Sequence, residues 1–153
     1  MKKTNSLLLP VVILGIGLLT SCAKRSDSPS SSAAATTSAM SASISGTAWT
    51  ASSVNGLYST GVTQINAVRS SDASGISLSF YGTATGTYLV DGVSSKITYT
   101  KNATTNYSAT AGTIVVSSSS NGVMKGTFYC SEKNVSNAND VIYITGGTFT
   151  SKY

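Results

Sequence analysis

Residues 76–81 read Ile-Ser-Leu-Ser-Phe-Tyr, and this alternation constrains the fold more than any other feature of the chain. In an extended strand successive side chains point to opposite faces. Ile76, Leu78 and Phe80 therefore line one face, and Ser77, Ser79 and Tyr81 the other. One apolar and one polar face suit a strand of an antiparallel sheet with one side in water. From Ile44 onward the same language recurs: short runs rich in Thr, Val, Ile and Tyr, broken by Gly, Asn and Asp. No stretch carries helical spacing over three turns.

The remaining strands follow from the same reasoning. Residues 46–53 hold Trp49, whose large ring is expected to pack inward, and Asn55-Gly56 reads as a hairpin turn. Residues 62–69 form a strand with Ile65 and Ala67 on one face, followed by a turn over 72–75. A short strand over 86–90 surrounds Tyr88, and Asp91-Gly92 turns the chain. Ile97 and Tyr99 share a face over 96–100, and residues 102–111 read as a polar loop. Ile114 and Val116 lie in a strand over 112–117, with a turn over 118–122. Met124, Phe128 and Cys130 share a face. The last segment is two strands, 141–145 and 148–152, or one strand kinked at Gly146 and Gly147.

Eight or nine such strands in residues 44–153 cannot stay flat with an apolar face exposed. The expected fold is all-β, an antiparallel two-sheet β-sandwich, with a flattened barrel as the less favoured closure. A domain of this size buries about two-thirds of its unfolded surface, enough for a core without disulfide staples.

The first 43 residues are of another kind. Lys2 and Lys3 precede an apolar run over 7–19, which is shorter than the roughly 20 residues of a bilayer-spanning helix. Pro10, Gly15 and Gly17 weaken it further as a permanent helix, so residues 1–21 read as a secretory signal peptide. The run ends in Leu19-Thr20-Ser21-Cys22, which resembles a lipobox, the processing site of bacterial lipoproteins. The resemblance implies cleavage before Cys22, a diacylglycerol thioether on its sulfur and an acyl chain on its amine. One chain binds a membrane marginally, at about 0.8 kcal/mol per buried CH₂, whereas two or three hold stably. Residues 22–43, mostly Ser, Ala and Thr, read as a disordered linker, with an r.m.s. span of about 25 Å. Ala23 follows the anchor where an Asp would mark inner-membrane retention in enterobacterial lipoproteins. That resemblance implies the outer membrane, with the periplasmic face favoured over the cell surface.

Residues 44–153 resemble a family of short, uncharacterised Bacteroidetes lipoproteins, a domain of unknown function. The shared motifs are Gly-Thr-Ala-Trp at 46–49, Ile-x-Leu-x-Phe at 76–80, Gly-Thr-Tyr at 86–88 and Ile-Thr-Tyr at 97–99. Gly-Thr-Ile at 112–114, Gly-Thr-Phe at 126–128 and Ile-Thr-Gly-Gly-Thr-Phe at 144–149 complete the series. Their order carries the resemblance. It implies location and fold, and it brings no catalytic residue.

Composition excludes several chemistries. The chain has no histidine, so a Ser-His-Asp triad, a His-activated Cys130 and most zinc sites are ruled out. Cys130 is the only thiol left beside Cys22, and its alternation with Phe128 makes it a small buried hydrophobe. From residue 44 onward Arg69, Lys96, Lys101, Lys125, Lys133 and Lys152 face Asp72, Asp91, Glu132 and Asp140, a balance of about +2 without a basic cluster. Nucleic-acid binding needs such a cluster. Glu132 and Asp140 flank residues 133–139 as loop acids. They are the one carboxylate pair that could serve hydrolysis, and Asp140 with Asn137 and Asn139 lacks a calcium-loop register. No catalytic residue, metal ligand or cofactor is therefore assigned.

Aromatic side chains are the remaining lead. Tyr88 and Tyr99 are expected in the core, while Tyr58, Tyr81, Tyr107, Tyr129 and Tyr143 are candidates for an exposed ligand-binding surface. Exposed tyrosine is also ordinary β-propensity. The reading is a non-enzymatic envelope lipoprotein, membrane-attached through its lipid, with a protein or glycan partner and an undetermined oligomeric state. A carbohydrate-binding accessory protein is the alternative, and a carboxylate enzyme the third.

Overall fold

A computed structural model describes residues 36–153, all of whose regular structure is strand. Residues 1–21, read as a signal peptide, Cys22, and residues 23–35 of the stretch read as a linker lie outside the described residues. The strands are β1 (Ala39–Ile44), β2 (Thr47–Thr50), β3 (Ser53–Ser59), β4 (Val62–Arg69), β5 (Ser74–Tyr81), β6 (Gly86–Leu89), β7 (Ser95–Asn102), β8 (Thr105–Ser120), β9 (Val123–Asn134) and β10 (Asn137–Lys152).

They make one antiparallel sheet in the order β2-β1-β10-β9-β8-β7-β5-β4-β3, with β6 extending the line of β7 along the second half of β8. The expected pair of stacked sheets is absent, because hydrogen bonding runs unbroken across the whole array. The sheet instead curls into a half-barrel. Its two edge strands, β2 and β3, are consecutive in the chain with only Ala51 and Ser52 between them. The Ala51 amide donates to the Met40 carbonyl of β1 (2.9 Å), and the Ser52 amide to the Val68 carbonyl of β4 (2.8 Å). One extended segment thus ties both edges together. A curled sheet covers its apolar face by curvature where a sandwich would use a second sheet.

The alternating residues meet on the concave side. Ile76, Leu78 and Phe80 are fully buried, as are Ile65, Ile97, Ile114, Met124 and Ile144 from other strands. Each such side chain contributes about 1.5–3 kcal/mol on leaving water. Trp49 is buried among them as expected.

Three local expectations change, each for a physical reason, and one open alternative is decided. First, Asn55-Gly56 lies inside β3, and the hairpin turns instead at Thr60 and Gly61, both with positive φ. Gly56 is there for a close approach: a Cβ on it would collide with the Lys152 carbonyl and the Ser151 hydroxyl of β10. Second, residues 102–111 are not a loop. Ala103 and Thr104 turn the chain, with Asn102 Oδ1 accepting the Thr104 and Thr105 amides, and β8 starts at Thr105. Third, of the two readings of the last segment the single kinked strand holds: it is β10, with its register shift between Ile144 and Gly147. Fourth, β1 begins at Ala39, inside the stretch read as linker. Met40 and Ala42 alternate with serines there, and pairing to both β10 and β2 orders a segment of weak intrinsic strand preference.

Candidate functional site

The inward rows of several strands end at one rim of the half-barrel. On β4 the row Thr63, Ile65, Ala67 ends in Arg69, and on β7 the row Ile97, Tyr99 ends in Lys101. Tyr107, Ile142, Ile44 and Trp49 close the ring, enclosing a cleft of about 490 Å³ that also touches Asp72 and Asn102. This lies within the range of small-molecule sites.

One wall of the cleft is a continuous hydrogen-bonded chain. The Trp49 indole N–H donates to Ser74 Oγ (2.8 Å), and Ser74 Oγ donates to Asp72 Oδ1 (2.7 Å). Asp72 Oδ1 also accepts from the Ser74 amide (3.1 Å) and from Arg69 Nε (3.1 Å), while Arg69 Nη2 donates to Asp72 Oδ2. The fork of guanidinium on carboxylate fixes both groups. The Arg69 guanidinium beside Asp72 holds that carboxyl well below the usual range. The Arg69 guanidinium lies 6.0 Å from the centre of the Trp49 ring, a cation–π contact. The Trp49 indole N–H, the Ser74 hydroxyl and both oxygens of Asp72 thus all have partners in this wall.

The opposite wall carries Tyr107. Its hydroxyl donates to Asp140 Oδ2 (2.8 Å), as does the Asn134 side-chain amide (2.9 Å). These two donors lower the pKa of Asp140. In the register, Tyr99, Tyr107 and Asn134 form one row across β7, β8 and β9.

Directly beneath that row lies Glu132, between Ala109 and Ile142. It is not the loop acid the sequence suggested. β9 continues to Asn134, so the inward alternation Met124, Gly126, Phe128, Cys130 takes in Glu132 as its next member. Its side chain is fully buried, its Oε1 accepts from the Cys130 thiol (3.3 Å), and its Oε2 has no partner. Burial pushes the carboxyl up to about 8, and burial beside Glu132 raises the Cys130 thiol far above its usual value. Cys130 is buried, as its alternation implied.

Glu132 and Asp140 have separate partners. One is sealed under the cleft floor against a thiol; the other is committed to Tyr107 and Asn134, and neither contributes to the other's shift. Asn137 is likewise occupied, accepting the Asn139 amide in the turn. Among the described residues no three His, Cys, Asp or Glu converge as a metal site.

The tyrosines divide between surfaces. Tyr107 is buried at 3% exposure and belongs to the cleft wall, correcting its assignment to the surface set. Tyr58, opposite Thr63, faces the concave side at the far rim, where its ring meets Tyr153 edge-on at 6.4 Å. Tyr81, Tyr129 and Tyr143 are exposed on the convex side, outward members of the alternations in β5, β9 and β10. No single stacking platform results. Tyr99 is core, as expected, and Tyr88 packs on Phe80 at 4.6 Å.

Sequence reasoning missed Arg69, Asp72, Ser74 and Lys101. A usable signal was present for two of them: Arg69 and Lys101 each sit where an apolar alternation ends in a charge, as a strand does when it reaches the rim of a curled sheet.

Residues 36–151 match the family described as Domain of unknown function (DUF6252). The chain belongs to this family. The DUF6252 match begins just ahead of β1 and ends within β10, so it spans the whole curled sheet and the cleft. No curated protein and no solved structure matches the chain.

Proposed function

We propose that this DUF6252 chain is a lipid-anchored cell-envelope protein, held at the membrane through Cys22, whose domain acts without catalysis by binding a small partner molecule in the rim cleft. The observation that carries the binding role is the cleft itself: a ligand-sized hollow whose Trp49–Ser74–Asp72–Arg69 wall is rigid before any ligand arrives. Preorganisation of this kind lowers the entropic cost of binding. The anchor reading rests on Lys2-Lys3, the short apolar run and Leu19-Thr20-Ser21-Cys22.

The direction of β1 supports the combination. Its first residue, Ala39, pairs with Thr150, and its last, Ile44, lines the cleft. The described chain thus joins the sheet about 17 Å from the cleft along the strand. The outer membrane, periplasmic face, is the proposed location. A glycan platform of all five tyrosines is disfavoured, since Tyr107 is buried in the cleft wall and Tyr58 faces the concave side, which leaves Tyr81, Tyr129 and Tyr143 on the convex one.

Two measurements test the reading. Intact-mass spectrometry of detergent-extracted protein is expected to show a chain starting at acylated Cys22; an unmodified full-length precursor as the sole species would refute the anchor. Trp49 is the only tryptophan, so its fluorescence reports the cleft directly. Titration with fractionated envelope extract is expected to change its emission saturably. An unchanged emission across all fractions would refute the binding role.

A further inference from the structure

The polarity of the cleft narrows its ligand, and we infer that it takes a small organic anion: an acidic head on a flat, largely apolar body. This inference rests on the binding role just proposed. The charged side chains lining the cleft are Arg69, Lys101 and Asp72. Asp72 is engaged, with three donors on Oδ1 and Arg69 Nη2 on Oδ2, and its charge is paired with Arg69. Lys101 has no ion pair among the described residues and ends the inward row of β7. The nearest further carboxylate, Asp140, stands behind Tyr107 and is engaged by Tyr107 and Asn134. The lining itself carries a balance of one positive charge, on Lys101, whose field also reaches Asp140 and helps to lower that carboxyl.

The floor agrees with this polarity. Glu132 faces Cys130 on its own strand, Tyr99 from β7, Ala109 from β8 and Ile142 from β10, with no cation among them. A buried carboxyl without a counter-charge stays protonated, and a neutral acid does not repel an anion above it. The apolar body would lie against Ile44, Trp49, Tyr99 and Ile142.

The test uses matched probes: benzoate, benzamide and benzylamine, titrated into the full-length protein and followed by amide chemical shifts and Trp49 fluorescence. Benzoate is expected to bind about ten-fold more tightly than benzamide, as one charge-assisted bond provides, and to weaken as salt is raised. Lys101→Met keeps the aliphatic stem and leaves the fold intact, since Lys101 is exposed; it is expected to abolish the preference. Equal binding of all three probes at the cleft would overturn the anion inference while leaving the binding role standing. Absence of any response at the cleft would overturn both. A benzoate preference that survives in Lys101→Met would overturn the assignment of the charge to Lys101.

Discussion

Glu132 makes stability depend on pH in a direction opposite to most carboxylates. In the unfolded chain its carboxyl titrates at an ordinary value of 4.5, and in the folded protein at about 8. Between these values the native state holds a proton that the unfolded state releases, so stability falls as pH rises through that window and levels off above it. One proton released on unfolding costs about 1.4 kcal/mol of stability for each step of one in pH, so the loss between pH 5 and pH 7 is roughly 2–3 kcal/mol. For a domain of this size that is roughly 10 °C in Tm. The window is unusually clean. The chain has no histidine, and the Asp72, Asp91 and Asp140 shifts all point downward, confining their titration to lower pH. Urea unfolding followed by Trp49 fluorescence at pH 5, 6, 7 and 8 measures the slope for the native chain and for Glu132→Gln. The amide preserves shape and leaves its NH₂ as unpartnered as Oε2 is now, so the variant's stability at any one pH is a poor guide. Its pH curve is expected to be flat where the native one descends. Parallel curves would refute the claim that Glu132 is buried as a neutral acid.

Four further outcomes follow from the packing. Ser74→Ala removes the acceptor of the buried Trp49 N–H and a donor to Asp72; it is expected to destabilise by about 1–3 kcal/mol and shift Trp49 emission. A Cβ at Gly147 would lie 2.6 Å from the Phe128 carbonyl and 2.7 Å from its ring, so Gly147→Ala should cost about 3 kcal/mol in urea unfolding. Gly46 has open space around it but a φ of +86°, so Gly46→Ala should cost about 1–2 kcal/mol in the same assay through backbone strain and not through a clash. Cys130, buried and with its thiol pKa raised, should resist a thiol reagent in the folded protein and react at the rate of unfolding; prompt labelling under native conditions would contradict the burial.

Local alternation was enough to identify most of the strands and their inward faces, though not β1 or the first half of β8. Ile76, Leu78, Phe80, Ile97, Tyr99, Phe128 and Cys130 are all buried as their spacing implies, because the two-residue period of a strand is a property of the backbone itself. The absence of histidine likewise excluded whole classes of catalysis before any fold was known. Other features were decided only by tertiary structure. Whether the strands make two sheets or one depends on which edges meet, and that follows from Ala51 and Ser52 bonding to β1 and β4, pairings that tie both edges of the array to one short segment. Gly56 reads locally as a turn, yet it is a strand residue because β10 packs against it. The cleft assembles Arg69, Ser74, Lys101 and Tyr107 from four strands, and Glu132 changes from a solvated acid into a buried one through two extra residues of pairing. Period is written in neighbouring residues; closure, burial and charge environment arise only where distant strands come together.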